Sequence, residues 1–431
     1  MTCVIESVQA WEALDSRGHP TVAARVVLSD GAAGTALVPS GASAGSHEAV
    51  ELRDGGARYA GRGVRKAVDT VRFVLAPLVI GHPAGEADAA LAAADLSVGF
   101  AQLGANAVLA VSLAVLRADA ASHGTPLARH LDRGRGDGAL LLPMPMVNLV
   151  SGGAHADGTI DIQDVLVMPI GASSFAEAIE WAGTVRDRAT VLALDRGHMQ
   201  ARLVADEGGL GLVLPTNRSA LELVCDAIEA AGFTPGEQVA LAVDVAATQF
   251  YDGAYYRFAR EQRSLDASAL IDEVVGWCET FPLVSIEDVL AEDDWSGWRA
   301  ATAALGGRVE LVGDDLFVTS PQRLARGIEA GVATSVLVKV NQNGLVSGAR
   351  EVVDIARRAG YRTIVSARSG ETEDSWLADL AVGWRAGQIK VGSTHRSERT
   401  AKWNRLLELE ATERTTFAGP WPGGRPPKEY S

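Results

Sequence analysis

Charged residues repeatedly follow apolar runs in the second half of the chain, where a hydrophobic core would exclude them. Six runs end in this way, at Asp244, Glu287–Asp288, Asp314–Asp315, Lys339, Arg368 and Lys390. A charge after a single strand is most often a helix N-cap or a solvated loop residue. Six in series instead indicate strand ends that meet at a common pocket, where acids and bases can act together.

Three of these residues are carboxylates from successive runs, namely Asp244, Glu287 and Asp314. Carboxylate oxygens suit octahedral Mg²⁺, which leaves its remaining positions to water or substrate. Without a cation, converging carboxylates would repel one another. The three acids therefore predict a Mg²⁺ site.

Lysine is scarce, since arginine carries most of the positive charge and the lysines are Lys66, Lys339, Lys390, Lys402 and Lys428. Arginine keeps its proton in proteins, whereas the pKa of a buried lysine beside a cation can fall far enough for it to act as a base. Lys339 is therefore the candidate base, against the alternative that it only extends its amine to solvent from a strand end. Proton removal next to a carboxylate creates an ene-diolate, whose charge a divalent metal would stabilise.

The segments that must position these side chains change in character near Leu140. From there, short runs rich in Val, Ile and Leu alternate with longer amphipathic stretches, which is typical of parallel strands joined by crossover helices. In a (β/α)8 barrel the carboxyl ends of the strands converge on one mouth, where active sites are built. We therefore predict an α/β fold class, with a TIM-like barrel over residues 138–419.

The first third of the chain has a different pattern of residues. The segment TVAARVVLSDG predicts a strand and a turn, and the Ala-rich stretch around Ala87–Ala94 predicts a helix. Residues 1–137 are accordingly predicted to form an α+β domain. Pro and Gly are frequent from Pro420 onward, which predicts a tail or surface strap over residues 420–431.

Composition limits the classes of partner that the chain is expected to bind. The chain has 431 residues, 47% of them hydrophobic, so it can bury more than one core. A formal net charge of −15 argues against nucleic acid or an anionic membrane as a partner, and a small anionic substrate would need a local cationic pocket. The N-terminus carries acidic residues where a signal peptide would be basic, so a cytoplasmic location is expected. The three cysteines show no C-x-x-C spacing and predict neither disulfides nor a zinc site.

Two Gly-rich segments have the composition of functional loops. VPSGASAGSHEAV, around Ser40, can act as a mobile lid, and SGGAHADGTIDIQD places His155 and Asp164 on or near another loop. Gly-rich segments are commonly plain turns, so composition alone identifies neither as a site.

Longer motifs carry a resemblance over nearly the whole chain. They are LDSRGHPTV, PSGASAGSHEA, GGAHADGTIDIQD, ADEGG, SIEDVLAEDDW, GDDLFVTSPQR, LVKVNQNG, SGETEDSWLADLAVG and GQIKVGSTHRSER. In content and order these segments resemble the enolase (phosphopyruvate hydratase) family. A lysine or histidine base acting with Mg²⁺ on an ene-diolate is the known chemistry of that superfamily.

The resemblance implies an N-terminal α+β domain, a C-terminal barrel and assembly as a homodimer or a higher homo-oligomer. It also implies that Asp244, Glu287 and Asp314 hold a Mg²⁺ ion. Ser40 of the lid would contribute to a second Mg²⁺.

The resemblance further implies the proton-transfer residues. Lys339 would take the C2 proton of a small anionic phosphoryl or phosphonyl carboxylate, and Glu207 of ADEGG would protonate the departing hydroxyl. Lys390 would meet the substrate carboxylate. The implied substrate-contacting set is His155, Asp164, Glu287, Asp314, Lys339, Arg368, Ser369 and Lys390, of which Arg368, Ser369 and His155 would hold the phosphoryl group.

The sequence departs from the family pattern at several positions. Ala367 replaces the histidine of S-H-R-S, and Asp164 replaces the Glu of a Q-E pair. The lid has Ser43, Ala44 and Gly45 for S-T-G, and LGLVLPTN follows ADEGG in place of F-A-P-N. These changes spare the metal ligands, both site lysines and Glu207, so ionisation chemistry is expected to survive with altered substrate fit.

Three functions remain open from the sequence. The first is ordinary dehydration of 2-phosphoglycerate. The second is a reaction like that of carboxyphosphonoenolpyruvate synthases of phosphonate antibiotic pathways, whose product bears a carboxyl group on phosphorus. The third is a non-catalytic binding protein that keeps the fold, since fold alone does not fix function.

Overall fold

The computed structural model describes residues 3–41, 45–133 and 138–425. The predicted lid residues Ser43 and Ala44, and the predicted tail from residue 426 onward, lie outside these ranges. Over the described ranges the chain forms an α+β unit followed by a closed barrel, which confirms the predicted α/β fold with a TIM-like barrel.

The N-terminal unit is an antiparallel sheet covered by helices. Its strands are β1 (Ile5–Leu14), β2 (Pro20–Leu28) and β3 (Ala33–Leu37), with β2 in the centre. Its helices are α1 (Arg65–Thr70), α2 (Ala76–Val79), α3 (Ala87–Ala94), α4 (Ala105–Ser122) and α5 (Leu127–Leu131). The central strand β2 is nearly all apolar and buried, and apolar residues of the sheet pack against these helices.

The longest of these helices, α4, lies across β2 and β3. Its backbone comes so close that a Cβ at Gly34 would lie 2.2 Å from the carbonyl oxygen of Ala114, so only glycine fits there. By length and composition α4 could cross a membrane, but 72% of it is buried inside the protein. It is the core helix of the N-terminal unit.

The remaining strands build the barrel and its additions. They are β4 (Leu140–Leu142), β5 (Met144–Ser151), β6 (Asp164–Met168), β7 (Leu210–Gly211), β8 (Ala240–Asp244), β9 (Tyr256–Phe258), β10 (Arg263–Leu265), β11 (Leu283–Glu287), β12 (Glu310–Gly313), β13 (Ser335–Val338), β14 (Arg362–Ser366), β15 (Gly387–Gly392) and β16 (Thr415–Phe417). The barrel order is β5-β6-β8-β11-β12-β13-β14-β15, and β15 pairs with β5 to close it. Eight buried strands explain the near-continuous Val, Ile and Leu runs of the sequence.

The barrel helices bury their apolar faces on the strands. They are α6 (Phe175–Asp195), α7 (Asn217–Ala230), α8 (Ala267–Thr280), α9 (Trp295–Leu305), α10 (Pro321–Ala330), α11 (Val340–Asn343), α12 (Val346–Arg358), α13 (Trp376–Gly383) and α14 (Ser397–Thr412). The helices α6 to α10 begin at side-chain caps, where Ser174, Thr216, Asp266, Asp294 and Ser320 each accept a backbone N–H from the first turn of the helix that follows. These caps fix where those five helices begin.

One strand runs against the predicted all-parallel pattern. β6 is antiparallel to both β5 and β8, because residues 152–163 return the chain directly without the crossover helix that a parallel partner needs. Asp164 is the first residue of β6 and pairs in register with Asp244, the last residue of β8. The reversal therefore brings Asp164 to the same mouth as the strand-end charges.

The opposite end of the barrel is closed by apolar side chains. Met146, Leu166 and Leu337 belong to an interior cluster that also includes Trp421. The backbone N–H of Trp421 donates to Ile170 O at 2.8 Å, and the residue is 2% exposed. This part of the predicted tail is therefore packed into the barrel floor.

Candidate active site

The first element of the site is a lysine between two strand-end carboxylates. Asp244 ends β8 and Glu287 ends β11, and the two are paired in register. Lys390 on β15 places Nζ 2.7 Å from Asp244 Oδ2 and 2.6 Å from Glu287 Oε2. All three side chains are buried, so this ion pair network is shielded from solvent.

The charges of this group determine its protonation. Burial alone would lower the pKa of Lys390, but Asp244 and Glu287 outweigh it and raise that pKa well above its usual value. Burial raises the pKa of Glu287 well above its usual range, and the neighbouring Asp244 adds to the shift. Lys390 is therefore a permanent cation at neutral pH, suited to holding an anionic carboxylate rather than to accepting a proton.

A second lysine faces a third carboxylate. Lys339 follows β13 and forms an ion pair through Nζ with Oδ2 of Asp314, which follows β12. Asp314 Oδ1 accepts a hydrogen bond from Gln342 Nε2 at 2.9 Å. The Lys339 backbone N–H donates to Thr319 Oγ1 at 2.9 Å, which fixes the strand end that carries this lysine.

The pKa of Lys339 is governed by its carboxylate neighbour. Burial lowers it and Arg368 and Lys390 act in the same direction, but Asp314 outweighs them and the net pKa is raised. The lowered pKa expected for this lysine beside a bound cation stays a prediction. Asp314 is the group whose neutralisation would release the lysine proton.

The carboxylate donors fit a divalent cation. Asp244 Oδ1 and Glu287 Oε1 are buried and have no hydrogen-bond partner among the residues that the structure describes. A buried carboxylate oxygen without a partner is costly unless a cation or donor meets it. Asp314 lines the same cavity as Asp244, and carboxylate oxygens are the hard donors that Mg²⁺ prefers.

A neighbouring acid positions this donor set. Asp288 accepts hydrogen bonds from the backbone N–H groups of Asp314, at 3.0 Å, and Asp315, at 2.7 Å. Burial raises the pKa of Asp288 well above its usual range. Oxygens from Asp288, Asp314 and Asp315 all lie within 4.8 Å of one another, so this corner of the mouth concentrates negative charge.

The predicted ligand of a second metal lies in different surroundings. Ser40 Oγ accepts a hydrogen bond from Arg53 Nη2 at 2.9 Å and donates to Glu51 Oε2 at 3.3 Å. Its backbone pairs with Gly370 through two hydrogen bonds. The role of Ser40 as a metal ligand stays a prediction.

At the same barrel mouth, a histidine connects three polar side chains. His155 Nδ1 lies 2.8 Å from Asp164 Oδ2, and its Nε2 lies 3.0 Å from Ser369 Oγ and 3.6 Å from Glu207 Oε1. Burial lowers the pKa of His155, but Asp164 and Glu207 outweigh it and raise that pKa to about 9. At neutral pH His155 is thus a cation oriented by Asp164.

The predicted acid has a lowered pKa in this environment. Burial would raise the pKa of Glu207, but His155 and Arg399 outweigh it. A bound dianionic group beside His155 would offset these cations and restore the proton affinity of Glu207.

Arg368 is already engaged by an acid that the sequence did not identify as a site residue. Glu48 Oε2 lies 2.9 Å from Arg368 Nη1, Glu48 Oε1 lies 3.2 Å from Nη2, and Asn341 Oδ1 accepts from Nη1 at 3.0 Å. Glu48 therefore places a carboxylate where the phosphoryl group was predicted to bind. The paired geometry is the one by which arginine recognises carboxylate and phosphate alike.

The segment around Glu48 is fastened to a barrel loop. Ser46 Oγ donates to Glu292 Oε1 at 2.7 Å, and His47 Nε2 lies 3.1 Å from Asp293 Oδ2. The backbone N–H of Ala49 donates to Gln342 O at 2.9 Å. These contacts hold the described part of the predicted lid over the mouth.

Two cationic side chains of α14 bind the loop that carries Arg368. Arg399 Nη1 donates to Arg368 O at 2.7 Å and to Val391 O at 2.9 Å. Lys402 Nζ lies 2.9 Å from Glu371 Oε2. Both cations are fully buried, so the backbone that carries Arg368 is fixed by charge-assisted hydrogen bonds.

These groups share one cavity. Its lining includes Glu48, His155, Glu207, Asp244, Asp314, Lys339, Ala367, Arg368, Ser369 and Lys390. Glu287 and Asp164 act on the same space through Lys390 and His155. Apart from Ser40, the predicted catalytic and binding residues thus converge as expected, and their individual roles stay predictions.

Sequence reasoning missed several polar partners. Gln163 Nε2 donates to Asp244 Oδ2 at 3.1 Å, and Gln342 contacts Asp314. Glu48 lies within the predicted lid segment, and a carboxylate in a Gly-rich loop was the available signal. Its pairing with Arg368 joins residues 320 positions apart, which no local pattern reveals.

Comparison with known proteins agrees with this geometry. Residues 139–421 match the family described as "Enolase, C-terminal TIM barrel domain", and residues 5–131 match "Enolase, N-terminal domain". A protein named "Enolase" from Acidothermus cellulolyticus is 51% identical over 411 residues, which cover 94% of each chain.

Proposed function

The chain belongs to the enolase family and is a hydro-lyase, and from this premise we propose that it converts 2-phosphoglycerate to phosphoenolpyruvate in a Mg²⁺-dependent reaction. The observation that carries the proposal is the single cavity in which Lys339 and Glu207 accompany the cations Lys390 and Arg368. A base, an acid and two anion-binding groups are what elimination of water from a phosphorylated hydroxy acid requires.

In this proposal Lys339 removes the proton from C2. The reaction needs a neutral amine, and the ion pair with Asp314 is the contact that keeps the amine protonated. Mg²⁺ held by Asp244, Glu287 and Asp314 would, when bound, supply positive charge that stabilises an ene-diolate. Glu207 donates a proton to the departing hydroxyl, so base and acid remain separate groups.

Substrate binding uses the permanent cations. Lys390 takes the substrate carboxylate, because its raised pKa keeps it charged. Arg368, Ser369 and His155 take the phosphoryl group, with His155 charged through its contact with Asp164. Glu48 must leave Arg368 for the phosphoryl group to bind there.

The direct test is phosphoenolpyruvate formation from 2-phosphoglycerate, followed by absorbance with and without Mg²⁺. We expect turnover in the wild type, a loss of about 10³-fold in kcat for Lys339→Ala, and no change for the control Lys66→Ala on the surface. Negligible turnover in the folded wild type would overturn the assignment of this substrate.

A second candidate substrate is favoured by one observation. Ala367 lines the cavity next to Arg368, where the family motif has an imidazole. The short side chain leaves room beside the phosphoryl group, as a substituent on phosphorus would need. The alternative is therefore a reaction like that of carboxyphosphonoenolpyruvate synthases, on a phosphonyl carboxylate with a larger group on phosphorus.

The variant Ala367→His separates the two candidates. If the natural substrate is 2-phosphoglycerate, we expect Ala367→His to leave activity on that substrate unchanged or to lower it, because the imidazole fills the space. If the natural substrate is a bulkier phosphonate, we expect the wild type to be slow on 2-phosphoglycerate. In that case Ala367→His should raise activity on 2-phosphoglycerate and lower activity on the phosphonate. Ala386→His, also a change from a buried alanine but outside the cavity, controls for loss of folding.

We also propose that the enzyme acts in the cytoplasm as a homodimer or larger homo-oligomer. Support for the compartment comes from Cys3, Cys225 and Cys278, which are all free thiols in the described structure, as a reducing compartment favours. The assembly rests on the family resemblance. Light scattering of the purified chain tests it, and a monomeric mass at micromolar concentration would contradict it.

A further inference from the structure

A cluster of two histidines and an aspartate lies in the N-terminal unit, away from the barrel mouth. Asp119 is in the last turn of α4, His123 directly follows that helix, and His130 lies in α5. None of the three lines the cavity described above.

The three side chains converge closely. His130 Nε2 lies 2.9 Å from Asp119 Oδ2, and His123 Nδ1 lies 3.4 Å from Asp119 Oδ1. One potential ligand atom from each residue lies within 4.8 Å of the other two, and the imidazole centroids are 5.2 Å apart. His123 Nδ1 also donates to the backbone O of Asp119 at 2.8 Å, so binding an ion through this nitrogen would replace that hydrogen bond.

His130 is largely buried where α5 meets the end of α4. Its side chain is 11% exposed, its Nε2 faces Asp119, and its buried Nδ1 has no hydrogen-bond partner among the described residues. The neutral imidazole is the form of histidine that binds metals.

We propose that Asp119, His123 and His130 form a binding site for a transition-metal dication of the Zn²⁺ type. Two imidazoles and one carboxylate are typical Zn²⁺ ligands and leave a fourth tetrahedral position for water. Mg²⁺ is a poor fit because it prefers oxygen donors throughout. Among the acid and histidine clusters of the described residues, this one alone offers two histidines.

The site would act as a cross-link between two helices. Asp119 and His123 come from α4 and its C-terminal end, whereas His130 comes from α5, so one ion would tie the end of the core helix to the next element. A ligand that binds only the folded protein stabilises it, and the effect would fall on the N-terminal unit rather than on catalysis.

The experiment uses the full-length, tag-free chain with excess Mg²⁺ and titrates it with Co²⁺, which reports tetrahedral coordination by a visible absorption band. We expect one equivalent to produce the band in the wild type and Zn²⁺ to remove it. His123→Ala, an exposed residue whose loss should not disturb folding, is expected to weaken binding at least about tenfold, as is Asp119→Asn.

The matched control is His82→Ala. His82 is exposed and its Nδ1 lies 3.9 Å from Glu86 Oε2, four residues away, but the two belong to no three-ligand cluster among the residues that the structure describes. Its loss should therefore leave the band unchanged. Absence of a band in the wild type would overturn the proposal, and so would undiminished binding by His123→Ala together with Asp119→Asn.

Discussion

The two sides of the catalytic cavity are constructed differently. On one side, Asp244, Glu287 and Lys390 belong to barrel strands, where the register of the sheet places each side chain. On the other side, His155 and Arg368 come from loops whose positions depend on side-chain contacts. The first side is fixed by backbone hydrogen bonds and the second by a network of charges.

Most departures from the family pattern fall on the loop side. Ala367 precedes Arg368 and the altered lid segment contains Glu48, whereas Asp164 begins strand β6 and contacts the loop residue His155. The strand side retains its carboxylates and lysines. The departures therefore alter the surroundings of Arg368 and His155, whereas the strand-end charges Asp244, Glu287 and Lys390 are kept.

The largest effect is expected on the strand side, where Lys390→Met would leave Asp244 and Glu287 as buried charges without their cation. We expect the free energy of unfolding without metal to fall by about 3–5 kcal/mol. Mg²⁺ should recover part of this loss in denaturant titrations, because a dication can replace the missing charge. A stability equal to that of the control Lys66→Met would show that the network is not the support we infer.

The stability that His155 contributes on the loop side should depend on pH. The folded-state pKa of His155 is raised from 6.5 to about 9, so its contribution to stability is complete below pH 6.5 and is lost as pH rises through about 9. The contribution is at most ~3 kcal/mol. Thermal unfolding of the wild type and His155→Gln at pH 6, 7.5 and 9 should show a difference that shrinks as pH rises.

The control for the pH series is His82→Gln, which changes an exposed histidine. Its stability should follow the wild type at every pH. A constant difference between wild type and His155→Gln across the series would contradict a charged His155 at neutral pH.

Arg399→Met tests whether the loop side depends on the hydrogen bonds that Arg399 donates to it from α14. The carbonyls of Arg368 and Val391 would lose a buried donor, which costs about 1–3 kcal/mol for each unsatisfied group. We expect KM for the phosphorylated substrate to rise about tenfold while kcat changes less. Arg405→Met, on the same helix but paired with Asp379, should leave KM unchanged, and an equal rise in both variants would argue for a general loss of stability.

The smallest effect is expected at Glu48. Glu48→Gln should weaken the internal competition for Arg368, so KM should fall about threefold with kcat unchanged. Initial-rate measurements over a range of substrate concentrations decide this. Glu86→Gln removes an equal charge from the surface and serves as the control, whereas a rise in KM for Glu48→Gln would show that Glu48 assists binding.

The sequence predicted the strand side more completely than the loop side for a physical reason. A charge at the end of an apolar run is visible locally, and barrel geometry brings such ends together. The reversed direction of β6 was missed because an apolar run does not encode strand direction. The Glu48–Arg368 pair was missed because the two residues are distant in sequence and only the folded chain brings them together.

The buried pair Arg399 and Lys402 has a consequence for the order of synthesis. Both belong to α14, which the ribosome releases after every barrel strand from β5 to β15 has emerged. A nascent chain can complete the sheet and its strand-end charges while the Arg368 loop still lacks its backbone donors. Substrate recognition would therefore mature last, so that a stalled or shortened chain would carry the reactive acids and bases without a formed receptor for the phosphoryl group.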